Sequence, residues 1–156
     1  MFRELRRFKQ QLPREECMRI LREQPRGILA VLGDEGYPYT VPLNFVYDNE
    51  CLYFHVAREG HKLDALKRCD KASFCVLEQK ELSDDGWSFY WNSVVAFGRS
   101  SEIADDKEKE EKLRLLGQKY FPSEEMVESD IAKNAARCVV IEFRIEHLTG
   151  KRVHER

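Results

Sequence analysis

The pattern of apolar and polar positions divides the chain into short β runs separated by turn chemistry, with helical stretches between some of them. Pro13 opens a helical stretch to about Gln24, with Cys17, Ile20 and Leu21 on one face. Pro25 and Gly27 close it. Residues Gly27 to Leu32 form a continuous apolar run, which predicts a buried strand. Gly33-Asp34-Glu35-Gly36 is hairpin chemistry, since glycine reaches positive φ without a Cβ penalty. A second strand is expected from Tyr37 to Tyr47. It carries Pro38 and Pro42, each of which removes a backbone donor and so marks an edge, bulge or kink. After Asp48-Asn49-Glu50, the run Cys51 to Val56 returns as a third strand.

A short helix is expected around Leu63 to Arg68, following Gly60-His61-Lys62. Lys71 to Leu77 predicts a fourth strand, and Glu78 to Gly86 a charged loop. Trp87 to Ile103 predicts a long fifth strand. Trp87, Phe89, Trp91, Ser93, Val95 and Phe97 alternate onto one face, and the aromatic stripe suggests core; Gly98 marks a bend. Asp105 with Glu108 forms an acidic version of the capping box and starts a helix to about Tyr120. Its charged positions read as a solvated face. Ser123 starts another helix to about Lys133, and Arg137 to Ile145 is a final strand with Val139, Ile141, Phe143 and Ile145 in alternation. The expected fold class is mainly β: a six-stranded antiparallel barrel with peripheral α-helices, built as a single domain over residues 1–156.

Composition narrows the function classes. The 156 residues carry 26 Lys+Arg and 28 Asp+Glu, a formal net charge of −2, which argues against a general nucleic-acid binder. No apolar run approaches the roughly 18 residues of a membrane helix, so no membrane partner is expected. The basic opening MFRELRRFKQ lacks the apolar region of a secretory signal, and the expected compartment is the cytoplasm. Five cysteines (Cys17, Cys51, Cys69, Cys75, Cys138) include no CxxC pair, so no structural metal site is expected. The chain has no nucleophile elbow, Walker loop or dinucleotide fingerprint.

Three segments carry candidate chemistry. Arg58-Glu59-Gly60-His61-Lys62 leaves a strand and enters a helix, where free N–H groups, a glycine and basic side chains could cradle a phosphate. Val41-Pro42-Leu43-Asn44 is a proline-interrupted strand whose unpaired backbone groups could read the polar edge of a planar heterocycle. Trp91-Asn92-Ser93-Val94-Val95 sets an aromatic beside small polar groups that could line a pocket.

Taken in order, these segments resemble the FMN-binding split barrels related to pyridoxamine 5′-phosphate oxidase, and within them the nitroimidazole-resistance-protein branch. The resemblance also rests on Gly33-Asp34-Glu35-Gly36-Tyr37-Pro38-Tyr39, Leu52-Tyr53-Phe54-His55, Lys71 to Val76, Ser93 to Gly98 and Leu148-Thr149-Gly150-Lys151, and it spans essentially the whole chain. It implies a split-barrel homodimer holding FMN at the subunit interface. Residues Val41, Pro42, Leu43 and Asn44 would face the ring. His55, Arg58, Gly60, His61 and Lys62 would serve the phosphate and ribityl chain, with Ser93, Val94 and Val95 along the cofactor. It also implies an oxidoreductase, nitroreductase-like, acting on a small, nitro-aromatic substrate, with His55 as the candidate catalytic residue. The alternative is a non-catalytic flavin- or haem-binding module of the same fold. Two departures stand out: Trp91-Asn92 precedes Ser93 where relatives often carry an aromatic and arginine, and Val56 follows His55 where a smaller residue is common.

Overall fold

Seven strands form one antiparallel sheet in the computed structural model, which describes residues 2–82 and 85–155. In chain order the elements are α1 (Arg14–Glu23), β1 (Arg26–Leu32), β2 (Pro38–Asn44), β3 (Val46–Asp48), β4 (Cys51–Ala57), α2 (His61–Arg68), β5 (Lys71–Leu82), β6 (Phe89–Glu102), α3 (Asp106–Tyr120), α4 (Glu124–Asn134) and β7 (Cys138–Glu155). The strand order is β2-β1-β5-β6-β7-β4-β3. Strands β2 and β3 therefore lie at opposite ends of the sheet, yet only Phe45 separates them in sequence. Consecutive Cα atoms are about 3.8 Å apart, so the two ends cannot stand more than about 8 Å from each other at that point. The sheet must curl round on itself, and the result is a barrel with a seam where β2 meets β3 and β4.

The expected continuous strand from Tyr37 to Tyr47 is thus two strands, which raises the count from six to seven. The break has a tertiary cause. The Phe45 N–H donates to the Tyr120 hydroxyl at 2.9 Å, and its carbonyl accepts from Lys119 Nζ at 3.0 Å and lies 2.8 Å from the same hydroxyl. The end of α3 replaces the sheet as partner of this residue. Lys119 also donates to the Gln24 carbonyl at 2.8 Å and lies 4.1 Å from the centre of the Phe45 ring. Burial pulls its amine down to about 8.

Three other expectations change. β5 continues past Leu77 to Leu82, through part of the expected loop, because Glu78 is buried against partners distant in sequence: Arg19 reaches it at 2.9 and 3.0 Å and Asn92 at 2.8 Å. Ser83 and Asp84 of that expected loop lie outside the described residues. β7 runs on from Ile145 to Glu155 along β6, after a register shift that pairs Phe97 with His147 and Gly98 with Ile145. Gly98 does mark that irregularity: a Cβ there would stand 2.1 Å from the Arg144 carbonyl oxygen. Finally, the core side of β6 is Asn92, Val94 and Ala96, each fully buried, so the stripe of Trp91, Ser93, Val95 and Phe97 faces outward.

The barrel interior is apolar. Phe45, Phe54, Phe74 and Phe143 are each at most 1% exposed, and the Phe45 and Phe74 rings meet at 4.9 Å. Gly27 is needed for this packing, since the Phe74 ring lies 2.1 Å from where a Cβ would stand. The helices behave as their sequences require. α1 buries Cys17, Ile20 and Leu21, and α3 is capped by Asp105, whose side chain accepts from the Glu108 N–H at 2.8 Å.

Tyr120→Phe leaves the buried Phe45 N–H with no acceptor, and an unsatisfied buried donor costs about 1–3 kcal/mol. Urea unfolding of the variant is expected to show a loss of that size with an unchanged m-value. Wild-type stability would mean that the break at Phe45 does not depend on α3.

Candidate functional site

The seam has two open edges. β2 pairs only with β1, and β4 pairs with β3 only over Cys51–Tyr53, so its Phe54–Ala57 stretch has no strand on that side. Pro38 and Pro42 share one parity along β2, the parity a proline tolerates when it faces away from the neighbouring strand. Thr40 and Asn44 share it, so their N–H groups point toward the open edge. Phe45 pins one end of the seam. α2 closes the other: the His61 ring stacks on Tyr39 at 4.2 Å, its Nε2 lies 3.5 Å from Asp34, and Arg68 bonds Asp34 at 2.8 Å.

The start of α2 is an uncapped helix end. Gly60 precedes it at φ 121°, with no atom within 4 Å of where a Cβ would be, and no side chain caps the first N–H groups. The helix begins at His61, two residues earlier than the apolar pattern predicts, so His61 and Lys62 lie in its first turn. A cation there sits at the positive end of the helix dipole, which is unfavourable unless an anion is near. Lys62 is half-buried, burial lowers its amine below the ordinary lysine value, and among the described residues it has no hydrogen bond or ion pair. The Arg58 guanidinium donates to the Ala136 carbonyl at 2.7 Å.

The remaining sequence candidates separate by side-chain direction. Val94 is fully buried in the barrel, and Val41 and Leu43 pack against the core, so these three can offer a ligand only backbone. Pro42, Ser93 and Val95 belong to the outward parity. Strand register aligns Pro42, Ile28, Cys75, Val95 and Thr149 in one row across the sheet, with Leu77, Ser93 and Lys151 in the next. Around them Ile28, Leu32, Leu77 and Phe97 are 38–52% exposed, so this outer face is apolar and open.

Asn44 and His55 come together in a cleft of about 260 Å³ roofed by α3 and α4. Leu113, Leu116, Val127 and Ile131 line it from the two helices, together with Asp130, Asn134 and Cys138. Burial pulls the His55 imidazole below its ordinary value; the Asp130 carboxylate pulls it up and the Lys62 ammonium pushes it further down. Burial pushes the Cys138 thiol up, and its Sγ lies 3.6 Å from the Ala135 carbonyl oxygen. Sequence reasoning supplied the strand half of this cleft and missed the helical half. The signal was present as the apolar spacing of Leu113 and Leu116 on α3 and of Val127 and Ile131 on α4.

Comparison with known proteins agrees with this architecture. The family model of pyridoxamine 5′-phosphate oxidase matches residues 13–152. Among solved structures, a candidate 5-nitroimidazole antibiotic resistance protein of Bacteroides thetaiotaomicron is 23% identical, with TM-score 0.78 and coverage of 92% of this chain and 87% of that one. A FAD-binding protein of Mesorhizobium loti is 24% identical, with TM-score 0.70 and coverage of 92% and 96%. A flavocytochrome of Azotobacter vinelandii is 23% identical, with TM-score 0.80 and coverage of 95% and 72%. At these identities the likeness is one of fold. A comparison with curated proteins gives no match.

The cleft predicts a His55 that stays neutral at neutral pH. Its NMR titration midpoint is expected below the ordinary 6.5. Asp130→Asn should lower it further, and Lys62→Ala should raise it. A midpoint above the ordinary value, or one indifferent to both substitutions, would remove His55 from the crowded end of the cleft.

Proposed function

The chain belongs to the pyridoxamine 5′-phosphate oxidase family, and we propose from this that it is a flavoprotein that binds FMN and acts as an oxidoreductase on a small, nitro-aromatic-type molecule. The observation that carries the reading is Lys62: a half-buried cation without an ion pair among the described residues, in the first turn of an uncapped helix behind an open glycine. That combination fits a phosphate monoester, whose charge would favour both the ammonium and the free N–H groups. The FAD-binding and flavocytochrome relatives support a flavin as the group that carries it.

A bound flavin would supply electron transfer that no side chain here can provide. The protein's part is positional. Lys62 and the α2 N–H groups would hold the phosphate, with His61 fixed beside them by Tyr39 and Asp34. The open edge of β2 offers the Asn44 N–H to the polar rim of a planar ring. Val41, Leu43 and Val94 shape the strands from inside, while Pro42, Ser93 and Val95 present a flat outer surface. His55, neutral and facing the cleft, is the side chain available to exchange a proton with a substrate. We also propose that the apolar outer face is covered by a second copy of this chain, which places the cofactor groove at a homodimer interface; open apolar patches of this kind mark association surfaces.

Purified protein is expected to show flavin absorbance bands, and mass analysis of the released chromophore should give FMN. A FAD mass would correct the cofactor, a Soret band would favour a haem-binding module, and a colourless protein that takes up no flavin would overturn the reading. Lys62→Ala should weaken FMN binding by about 1–3 kcal/mol, the scale of a charge-assisted hydrogen bond; unchanged affinity would discard the cradle.

The interface model is tested separately by light scattering. A dimer is expected, and a monomer that still binds FMN would refute the shared groove.

A further inference from the structure

We propose that the cleft between α3, α4 and the ends of β2 and β4 is a substrate subsite for a single aromatic ring bearing a cationic or N–H-donating group. That the ligand is a substrate rests on the flavin reading; the occupancy of the cleft does not.

Size sets the first limit. An apolar cavity of about 150 Å³ suffices to hold benzene. The cleft measures about 260 Å³, enough for one ring with a polar substituent. Its wall of Leu113, Leu116, Val127 and Ile131 is apolar and comes from two helices, so it can sandwich a ring.

Charge sets the second limit. The lining also carries Asn44, His55, Asp130 and Asn134, and Asp130 is the one charged side chain among the described lining residues. Asn134 Nδ2 donates to Asp130 Oδ1 at 2.7 Å, and among the described residues no cation pairs with this carboxylate. The side chains of Asn44 and His55 likewise make no hydrogen bond with a described residue. The nearest cations, felt electrostatically at His55 and Cys138, are Lys62, Arg58 and Lys109, and all three lie outside the lining. Asn44 and His55, with no hydrogen bond to a described residue, and the Asp130 carboxylate, held among them only by an amide, therefore line one apolar cleft. The Asp130 carboxylate accepts from a donor and repels an anion, while the Asn44 amide and the neutral His55 ring can each donate or accept. A phosphorylated pyridine of the kind the family name suggests would meet a carboxylate and no cation in this cleft.

The test uses benzylamine and benzoate, alike in ring and opposite in charge, titrated into the full-length protein as purified and followed by methyl NMR. Benzylamine is expected to shift the Leu116, Val127 and Ile131 methyls saturably and to bind about ten-fold or more tighter than benzoate. Asp130→Asn should remove that preference. Leu113→Trp, a half-buried wall position, should abolish binding while circular dichroism stays unchanged. Equal binding of benzoate, a preference that survives Asp130→Asn, or benzylamine binding indifferent to Leu113→Trp would each overturn the proposal. The flavin band of the same samples separates the two claims. Flavin without benzylamine binding defeats the subsite and leaves the cofactor reading; benzylamine binding without flavin does the reverse.

Discussion

The barrel hangs on one residue that the sheet cannot serve. Between β2 and β3 the chain crosses from one end of the hydrogen-bonded ladder to the other, and Phe45 is where it crosses. Its N–H and carbonyl are deep in the protein and have no strand beside them. A buried peptide group left unpaired is costly, so the fold supplies partners from elsewhere: the Tyr120 hydroxyl and the Lys119 ammonium at the end of α3. Lys119 is itself drawn out of water to do this, at a cost that lowers its affinity for the proton. The position of α3 follows from that requirement, and so does the roof of the cleft, because Leu113, Leu116 and Tyr120 belong to the same helix.

Electrostatics at the two ends of the seam run in opposite senses. At the α2 end, basic side chains stand at the positive end of a helix, with no carboxylate among the described residues paired to Lys62, an arrangement that an anion would relieve. At the α4 end, Asp130 stands with an amide partner and, among the described residues, no paired cation. His55 lies between and feels both, with the lysine and the carboxylate pushing its imidazole in opposite directions.

Much of the fold was legible from local pattern. The α1 face, the glycine hairpin at Gly33–Gly36, the Asp105 cap and the β4 strand all follow from short-range rules, and the ordered motifs led to the family. The errors came where long-range contact overrode local preference. Glu78 looked like the start of a loop because a carboxylate rarely enters a sheet, yet Arg19 and Asn92 give it a buried hydrogen-bonded place. The Trp91–Phe97 stripe looked like core because aromatics usually are. In the barrel the inward side of β6 has room only for smaller side chains such as Val94 and Ala96, since four phenylalanines already fill the interior.

By itself the sequence determined the elements whose causes are local: periodicity, turn glycines, caps, and the strand-to-helix passage at Gly60. These depend on φ/ψ preference and on hydrogen bonds within a few residues, and both are written in neighbouring letters. Only the tertiary structure decided which face of β6 is inside, where β2 ends, and which candidates share a site. It tied Arg58 to Ala136, buried Val94, and brought Asn44 and His55 under α3 and α4 beside Asp130. Those outcomes depend on curling a seven-stranded sheet until its first and last strands meet at Phe45, a closure set by the partners of a whole sheet rather than by any segment of it.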